Sequence, residues 1–537
     1  MNRREFLHRT LLGSATSATV FTSGCVSSAS GSSASSQHSF SLEEKTLAQL
    51  QQLMHSEKHS AVELVTLYLD RIKTLDQQGP KLKAVLELNP DALAIATSLD
   101  AERKSKGARG PLHGIPILIK DNIDTHDRMH TSAGSLALAD SIAPRDAFLV
   151  ERLRKAGAVI LGKTNLSEWA NFRGDRSISG WSGRGGQTRN PYVITHSPSG
   201  SSSGSAVAVS ANMCAAAVGT ETNGSIVSPS SYCGVVGLKP TVGLVSRSGI
   251  IPIAATFDTA GPMTRTVADT AAMLSVMAGP DEGDPATQVA EAEFHADYTK
   301  FLKTADLLKV RCGIVRGMFP GHPLVRPVFE QVINKMREGG FNLTDNVSLP
   351  NLAGLGASRY DLMLYEFKAG LNAYFTSLGS HAPVKSIDEL IAFNEREKER
   401  EMPYFGQEDL IAAAAKGPLT EEGYLKAKQI VTEYAQVLRN FMDEQKLDVL
   451  VAPTAGPAGA LDYIHGDRGL GGSSTPAATA GFPHITVPCG TVLGLPVGFS
   501  FFGRAWSEPT LIAVAHRFEQ LMKARTVPKF LPYLDVQ

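Results

Sequence analysis

From residue 190 to residue 238 the chain carries one charged side chain, Glu221, in a stretch dominated by Gly, Ala, Ser and Val. A run this long without charge has the length to cross a bilayer, but its Ser, Asn and Gly content makes it too polar for lipid. It has to be buried inside a folded domain. Buried hydroxyls need hydrogen-bond partners, so Ser199, Ser201, Ser202, Ser203, Ser205 and Ser225 belong to a dense structural network or to a catalytic one.

Composition excludes several other classes. Of 537 residues 43% are hydrophobic and 20% charged, with 52 basic against 53 acidic side chains. Such a balance fits neither a disordered nor a polytopic membrane chain, and it offers no electrostatic reason to bind nucleic acid. The cysteines (Cys25, Cys214, Cys233, Cys312, Cys489) lie too far apart for a disulfide framework or a zinc site. His126 and His130 have the i, i+4 spacing of a metal pair, but no further ligand accompanies them and they read as polar loop residues.

The body of the chain alternates helical and strand patterns. Leu47, Leu50, Leu53 and Met54 recur at helical spacing, and Ser60 caps a second helix. Residues 84–88, 115–119 and 158–161 read as strands, with helices over 91–104 and 147–156 between them. This order predicts an α/β fold, a sheet covered by helices on both faces, and no linker interrupts a single domain over residues 42–537.

Two turns in the uncharged segment have catalytic character. Ser199-Gly200-Ser201-Ser202-Ser203-Gly204 runs into a helix, whose first N–H groups lack partners. Downstream of the apolar run Ala215 to Val218, Thr222-Asn223-Gly224-Ser225 forms a turn in which several N–H groups can converge on one oxyanion. A serine nucleophile needs a base, and His196 is the segment's sole histidine, in a turn that reads as exposed. Lys120 ends the apolar strand GIPILIK, where desolvation favours a neutral amine able to take a proton. A strand-end lysine can equally reach solvent, so strand position alone leaves its role open. Gly200-Ser201-Ser202-Ser203-Gly204 also spells a nucleophile elbow centred on Ser202, but Thr195-His-Ser-Pro198 before it reads as a turn rather than a strand.

Three stretches together, GIPILIKDNID (114–124), SGSSSGSAVAVSA through GTETNGSI (199–226) and GVVGLKPTVGLVSRSGIIP (234–252), resemble the amidase signature family. DVLVAPT (448–454) and GLPVG (494–498) extend the likeness over about residues 42 to 530. The resemblance implies a single-domain fold with a large mixed sheet between helices and hydrolysis of carboxamide C–N bonds without cofactor or metal. It also implies a Ser, cis-Ser, Lys triad: Lys120 as base, Ser201 after a cis peptide bond, Ser225 as nucleophile. The N–H groups of Thr222, Asn223, Gly224 and Ser225 would form the oxyanion hole, with Ser202 orienting Lys120 or Ser201. Ser199 stands where the family usually has glycine, and Glu221 with Asn223 replaces the commoner Asp-x-Gly-Gly-Ser; Asn223 is expected to accept the left-handed turn.

Within the family, LGKTNLSEWANFRG (161–174), ISGW (178–181) and LYEFKAGL (364–371) are similar to bacterial peptide amidases, implying deamidation of C-terminal peptide amides with release of ammonia. Trp169, Asn171, Phe172 and Trp181 are then candidates to line the acyl pocket, with core packing as the competing reading. Alternatives are an amidase of small, aryl or fatty amides, and a non-catalytic exported lipoprotein that binds peptides.

Residues 1–25 carry Arg3-Arg4 before Phe6-Leu7 and a mildly apolar stretch, which resembles a twin-arginine export signal. Thr22-Ser23-Gly24-Cys25 resembles a lipobox, and residues 26–41 form a serine-rich tether. The expected location is the periplasm, reached through the twin-arginine machinery, with Cys25 as a candidate lipid anchor to the membrane. The partners expected of the body are a small-molecule or peptide amide and no nucleic acid.

Overall fold

The computed structural model describes residues 40–288, 293–303 and 309–534. The export signal, Cys25 and the tether up to residue 39 lie outside the described residues.

An eleven-stranded mixed sheet organises the unit that begins at Leu42. Its strands are β1 (Val85–Leu88), β2 (Pro116–Lys120), β3 (Val159–Thr164), β6 (Ala216–Glu221), β7 (Val236–Lys239), β8 (Thr259–Thr264), β9 (Arg311–Ile314), β10 (Asn342–Thr344), β11 (Val449–Pro453), β12 (His484–Val492) and β13 (Leu495–Phe502). A separate two-stranded hairpin supplies β4 (Trp181–Ser182) and β5 (Gly186–Gln187). The large sheet runs in the order β1-β3-β2-β6-β8-β7-β12-β13-β11-β9-β10. β3, β2 and β6 are parallel, as are β11, β9 and β10, while antiparallel strands fill the centre.

Local chemistry explains the elements. Helix Ala61–Ile72 starts at Ser60 through a reciprocal capping box with Glu63. Every residue of β2, β3, β6, β7 and β11 is buried, as strands covered on both faces must be. β3 runs three residues beyond the sequence expectation, because Lys163 continues it at 0% exposure. Its Nζ donates to the Ile123 carbonyl at 2.7 Å and to Thr131 Oγ1 at 2.8 Å, so the charged residue does not end the strand.

The uncharged segment is buried as expected. Helix Ser203–Ser210 has no exposed face, and two of its hydroxyls are bonded internally: Ser203 Oγ donates to the Ser199 carbonyl at 2.6 Å and Ser205 Oγ to the Val218 carbonyl at 3.0 Å. Beyond the sheet, helix Leu355–Ser377 packs against helix Glu422–Glu444 over a cluster that contains Trp169, Phe172, Phe367 and Phe375.

Candidate active site

β2 and β6 are parallel neighbours, and their carboxyl ends bring Lys120 to Thr220. Lys120 is fully buried, and its Nζ donates to Ser201 Oγ at 2.7 Å and to Thr220 Oγ1 at 2.8 Å, with the Thr220 carbonyl at 3.3 Å. Burial pushes its ammonium down to about 7, against the Asp258 and Glu221 carboxylates, which favour the charged form. Asn122 Nδ2 donates to the same Thr220 hydroxyl at 3.0 Å and fixes it between the two strands.

The peptide bond Gly200-Ser201 is cis, and Ser199 before it takes a φ of 59°, the left-handed conformation that favours the glycine usual at that place. The Ser167 N–H donates to the Ser201 carbonyl at 3.1 Å. The Ser202 N–H donates to the Ser225 carbonyl at 3.1 Å, which ties the two serine turns together. The Ser202 hydroxyl corrects the sequence expectation: it takes the Thr220 N–H and donates to the Thr220 carbonyl at 3.0 Å, rather than bonding Lys120 or Ser201. It holds the turn to the end of β6 and so acts one residue away from the assigned contact.

Ser225 is 8% exposed at the head of helix Val227–Tyr232. The left-handed position in its turn is Gly224, with φ of 85°; Asn223 does not adopt it, because the glycine beside it has no Cβ to strain. Asn223 is held by its side chain instead, accepting from Ser474 Oγ at 2.8 Å. Glu221 Oε2 accepts the N–H groups of Ile226 and Val227 at 2.7 and 3.1 Å, and Thr222 Oγ1 donates to Asp258 Oδ1 at 2.6 Å. Among the described residues no acceptor takes the N–H groups of Asn223, Gly224 or Ser225.

The candidate pocket aromatics are anchors in the interior. Trp169 packs edge-on to Phe375, Phe172 to Phe367, and Trp181 to Phe405, while the Asn171 side chain is exposed. The backbone explains it: Trp169, Ala170 and Asn171 have φ of 51°, 55° and 71°, a left-handed turn that sends both rings inward and leaves Ala170 at the cavity bounded by Asn122, Thr220, Thr222, Ile253 and Asp258. His196 is buried rather than exposed, its ring nitrogen 3.4 Å from Thr195 Oγ1. His126 and His130 have separate partners, the Ala143 carbonyl and Glu87. Cys214, Cys233, Cys312 and Cys489 are free and buried.

Sequence reasoning missed Thr220, Asn122 and Asp258. The signal for Thr220 was a hydroxyl five residues before Ser225 on a strand next to the lysine strand; Asp258 lies 33 residues beyond Ser225 and carried no local signal.

Residues 63–512 match the amidase family. The chain belongs to that family. A protein of Arabidopsis thaliana named as a probable amidase is 40% identical, over 92% of this chain and 93% of the relative. The crystal structure of native peptide amidase from Stenotrophomonas maltophilia superposes with a TM-score of 0.87 at 50% identity, covering 91% of this chain and 99% of that one. An amidase family protein from Bacillus anthracis gives 0.81 at 39% identity, over 91% and 93% of the two chains. This amidase is therefore a hydrolase of amide C–N bonds, on the mixed-sheet fold that the family shares.

Proposed function

We propose that this amidase removes the terminal amide of C-terminally amidated peptides through an acyl-enzyme on Ser225. The observation that carries the proposal is the contact of a buried, largely deprotonatable Lys120 with Ser201 at 2.7 Å, one hydrogen-bonded turn away from Ser225. Lys120 takes a proton through the Ser201 hydroxyl as Ser225 Oγ attacks the carbonyl carbon. The N–H groups of the 222–225 turn receive the oxyanion. The C–N bond breaks as Ser201 returns the proton to nitrogen, and ammonia leaves. Water then repeats the attack on the ester, releases the carboxylate and restores the Ser225 hydroxyl.

The 50% identity to a peptide amidase supports the choice of substrate. A site that closes behind the carbonyl accepts NH2 and excludes a following residue, since an overlapping side chain costs more than its contacts return. Mass spectrometry of a peptide amide with an internal Gln tests this. A gain of about one dalton confined to the C-terminus is expected, because a carboxylic acid replaces a carboxamide there. Cleavage within the chain, or deamidation of Gln, defeats the peptide amidase reading and leaves an amidase of other amides. We also propose export to the periplasm from the Arg3-Arg4 signal, with lipidation at Cys25; a Cys25→Ser variant that no longer partitions with membranes tests the anchor.

A further inference from the structure

Two carboxyl groups meet in the interior behind the serine turns. Glu168 is 2% exposed and Glu401 0%, and a Cβ on Gly183 would lie 2.0 Å from Glu401 Oε2 and 3.0 Å from Glu168 Oε2, so both oxygens converge on one point above that glycine. The cation beside Glu168 is Arg173, fully buried, its Nη1 2.5 Å from Glu168 Oε1 and 2.5 Å from the Glu401 backbone carbonyl. Its remaining nitrogens go to the carbonyls of Gly406 and Phe405, and its Cζ lies 3.9 Å from the Phe405 ring centroid. The guanidinium is thus paired with one of the two carboxyls, that of Glu168, and meets Glu401 only through its backbone. Glu408, the next acidic group, lies beyond Gly406 and accepts from the Asp175 N–H.

The donors around the pair reach three of the four carboxyl oxygens and leave one of the two converging ones, Glu401 Oε2, without a partner. Ser135 Oγ and the Leu136 N–H donate to Glu401 Oε1 at 2.9 and 2.6 Å, and the Gly183 N–H to Glu168 Oε2 at 2.6 Å. Glu401 Oε2 receives no donor from the described residues. A second ionised carboxylate buried there, with one oxygen lacking a donor and facing the first, is disfavoured by desolvation and by like-charge repulsion. One proton between the two oxygens removes that cost and supplies the bond.

We propose that Glu168 and Glu401 share one proton, and that this bond clamps the loop beside Lys120 to the loop beside Ser201. The connections run both ways. Glu401 holds Ser135 and Leu136; their loop donates three N–H groups to Asp121, from Ser132 and Ala133 to its carbonyl and from Gly134 to Oδ2, and Asp121 adjoins Lys120. Glu168 adjoins Ser167, whose N–H holds the Ser201 carbonyl. The pair therefore positions the Lys120–Ser201 contact without touching it. Burial first, and then the Glu401 charge, hold the Glu168 carboxyl well above the usual carboxylate range, against the pull of Arg173.

The kinetic consequence rests on the catalytic reading of Lys120 and Ser201; the stability consequence does not. A carboxyl whose folded pKa lies above its unfolded value binds a proton that the unfolded chain has released, so stability falls as pH rises from about 4.3, the model Glu value, toward the folded pKa. In Glu401→Gln the amide donates to Glu168 at every pH. Thermal melts from pH 5 to pH 9 should show wild-type Tm falling relative to Glu401→Gln, and the wild-type infrared spectrum should carry a protonated carboxyl band that this variant lacks. In the same pH series, kcat of the wild type should drop about tenfold or more on the alkaline side, with KM nearly constant, and Glu401→Gln should abolish that drop. Glu168→Gln, which donates in the opposite sense, serves if Glu401→Gln does not fold. Parallel Tm curves, or an infrared band unchanged by both variants, overturn the shared proton. Divergent Tm curves with identical kinetic profiles leave the proton in place and overturn the clamp on the catalytic contact.

Discussion

Two lysines of this sheet sit in nearly the same setting and differ in what they touch. Lys120 ends β2 after Ile117-Leu118-Ile119, and Lys239 ends β7 after Val236-Gly237-Leu238; both are 0% exposed. Burial is the first cause of depression in each, to about 7 for Lys120 and about 8 for Lys239, and Glu221 opposes it in both. Lys120 meets the hydroxyls of Ser201 and Thr220, whereas Lys239 donates to the Pro240 carbonyl at 2.9 Å. A hydroxyl can pass a proton onward and a carbonyl can only accept a hydrogen bond. A depressed lysine is thus a structural consequence of burial, and the neighbour decides whether it can serve as a base.

The largest expected effect separates the two directly. Lys120→Ala and Ser225→Ala should each lower kcat by about four orders of magnitude or more, since members of one relay fail as a unit. Lys239→Met should keep kcat within about tenfold, because its partner carries no transferable proton. Ammonia release from a peptide amide measures all three. Equal losses at Lys120 and Lys239 would erase the distinction, and a tenth of wild-type activity in Ser225→Ala would remove the nucleophile.

Thr220→Val comes next. It takes away the hydroxyl that Lys120 and Asn122 share while keeping the β-branched shape that suits β6. The expected loss is about 10-fold to 100-fold in kcat, from a lysine free to turn away from Ser201. Unchanged kcat would show that Ser201 and the Thr220 carbonyl hold the amine in place without the hydroxyl.

Much of the first half of the site was legible because its signals are local. Lys120 ends a strand of unbroken apolar residues, and the two serine turns sit in a segment whose lack of charge demands burial. The strands at 85–88 and 116–120 and the first half of the one at 159–164 follow from period and length, and the burial of β2 and β3 on both faces follows from their apolar runs. Other parts depend on contacts between distant residues. Nothing in Val235-Val236-Gly237-Leu238-Lys239 marks that lysine as different from Lys120, since the difference lies in Ser201, remote in sequence from both. Trp169 and Phe172 look like pocket residues because they precede the serine-rich segment closely in sequence; three consecutive left-handed residues, which sequence pattern does not disclose, turn their rings to the core. Sheet order places β12 and β13 between β7 and β11, a pairing across hundreds of residues that no local period encodes.

Glu221 lies between the two lysines and can sharpen the comparison. Its carboxylate favours the charged form of both, so Glu221→Gln should lower both pKa values. The acid limb of kcat/KM reports the free base of the relay, which places it near 7 in the wild type and moves it to lower pH in the variant. A shift of about half a unit to one unit is expected for a charge that does not touch the amine. An acid limb that stays fixed would mean that a group other than Lys120 controls it.

The smallest effect is on stability, and its sign follows from the same depression. A lysine whose folded pKa lies below its unfolded value, about 10.4, penalises folding in full below the folded pKa, where both states are charged and only the folded one is desolvated. Between the two values the folded state sheds its proton first, and stability rises with pH. Methionine has similar length and carries no charge to desolvate, so Lys120→Met and Lys239→Met should both raise Tm at pH 6, by roughly one to a few degrees in a chain of this size. At pH 10 both gains should shrink, because the wild-type amines are by then neutral in the folded state and the remaining cost is only that of the unfolded amine holding part of its proton just below about 10.4. Lys120→Met should gain more than Lys239→Met at pH 6, in the order of their depressions, even though it destroys the amine that the relay needs. A lower Tm for either variant at pH 6 would mean that its hydrogen bonds outweigh its desolvation, and would end the reading of that lysine as a buried charge held at a cost.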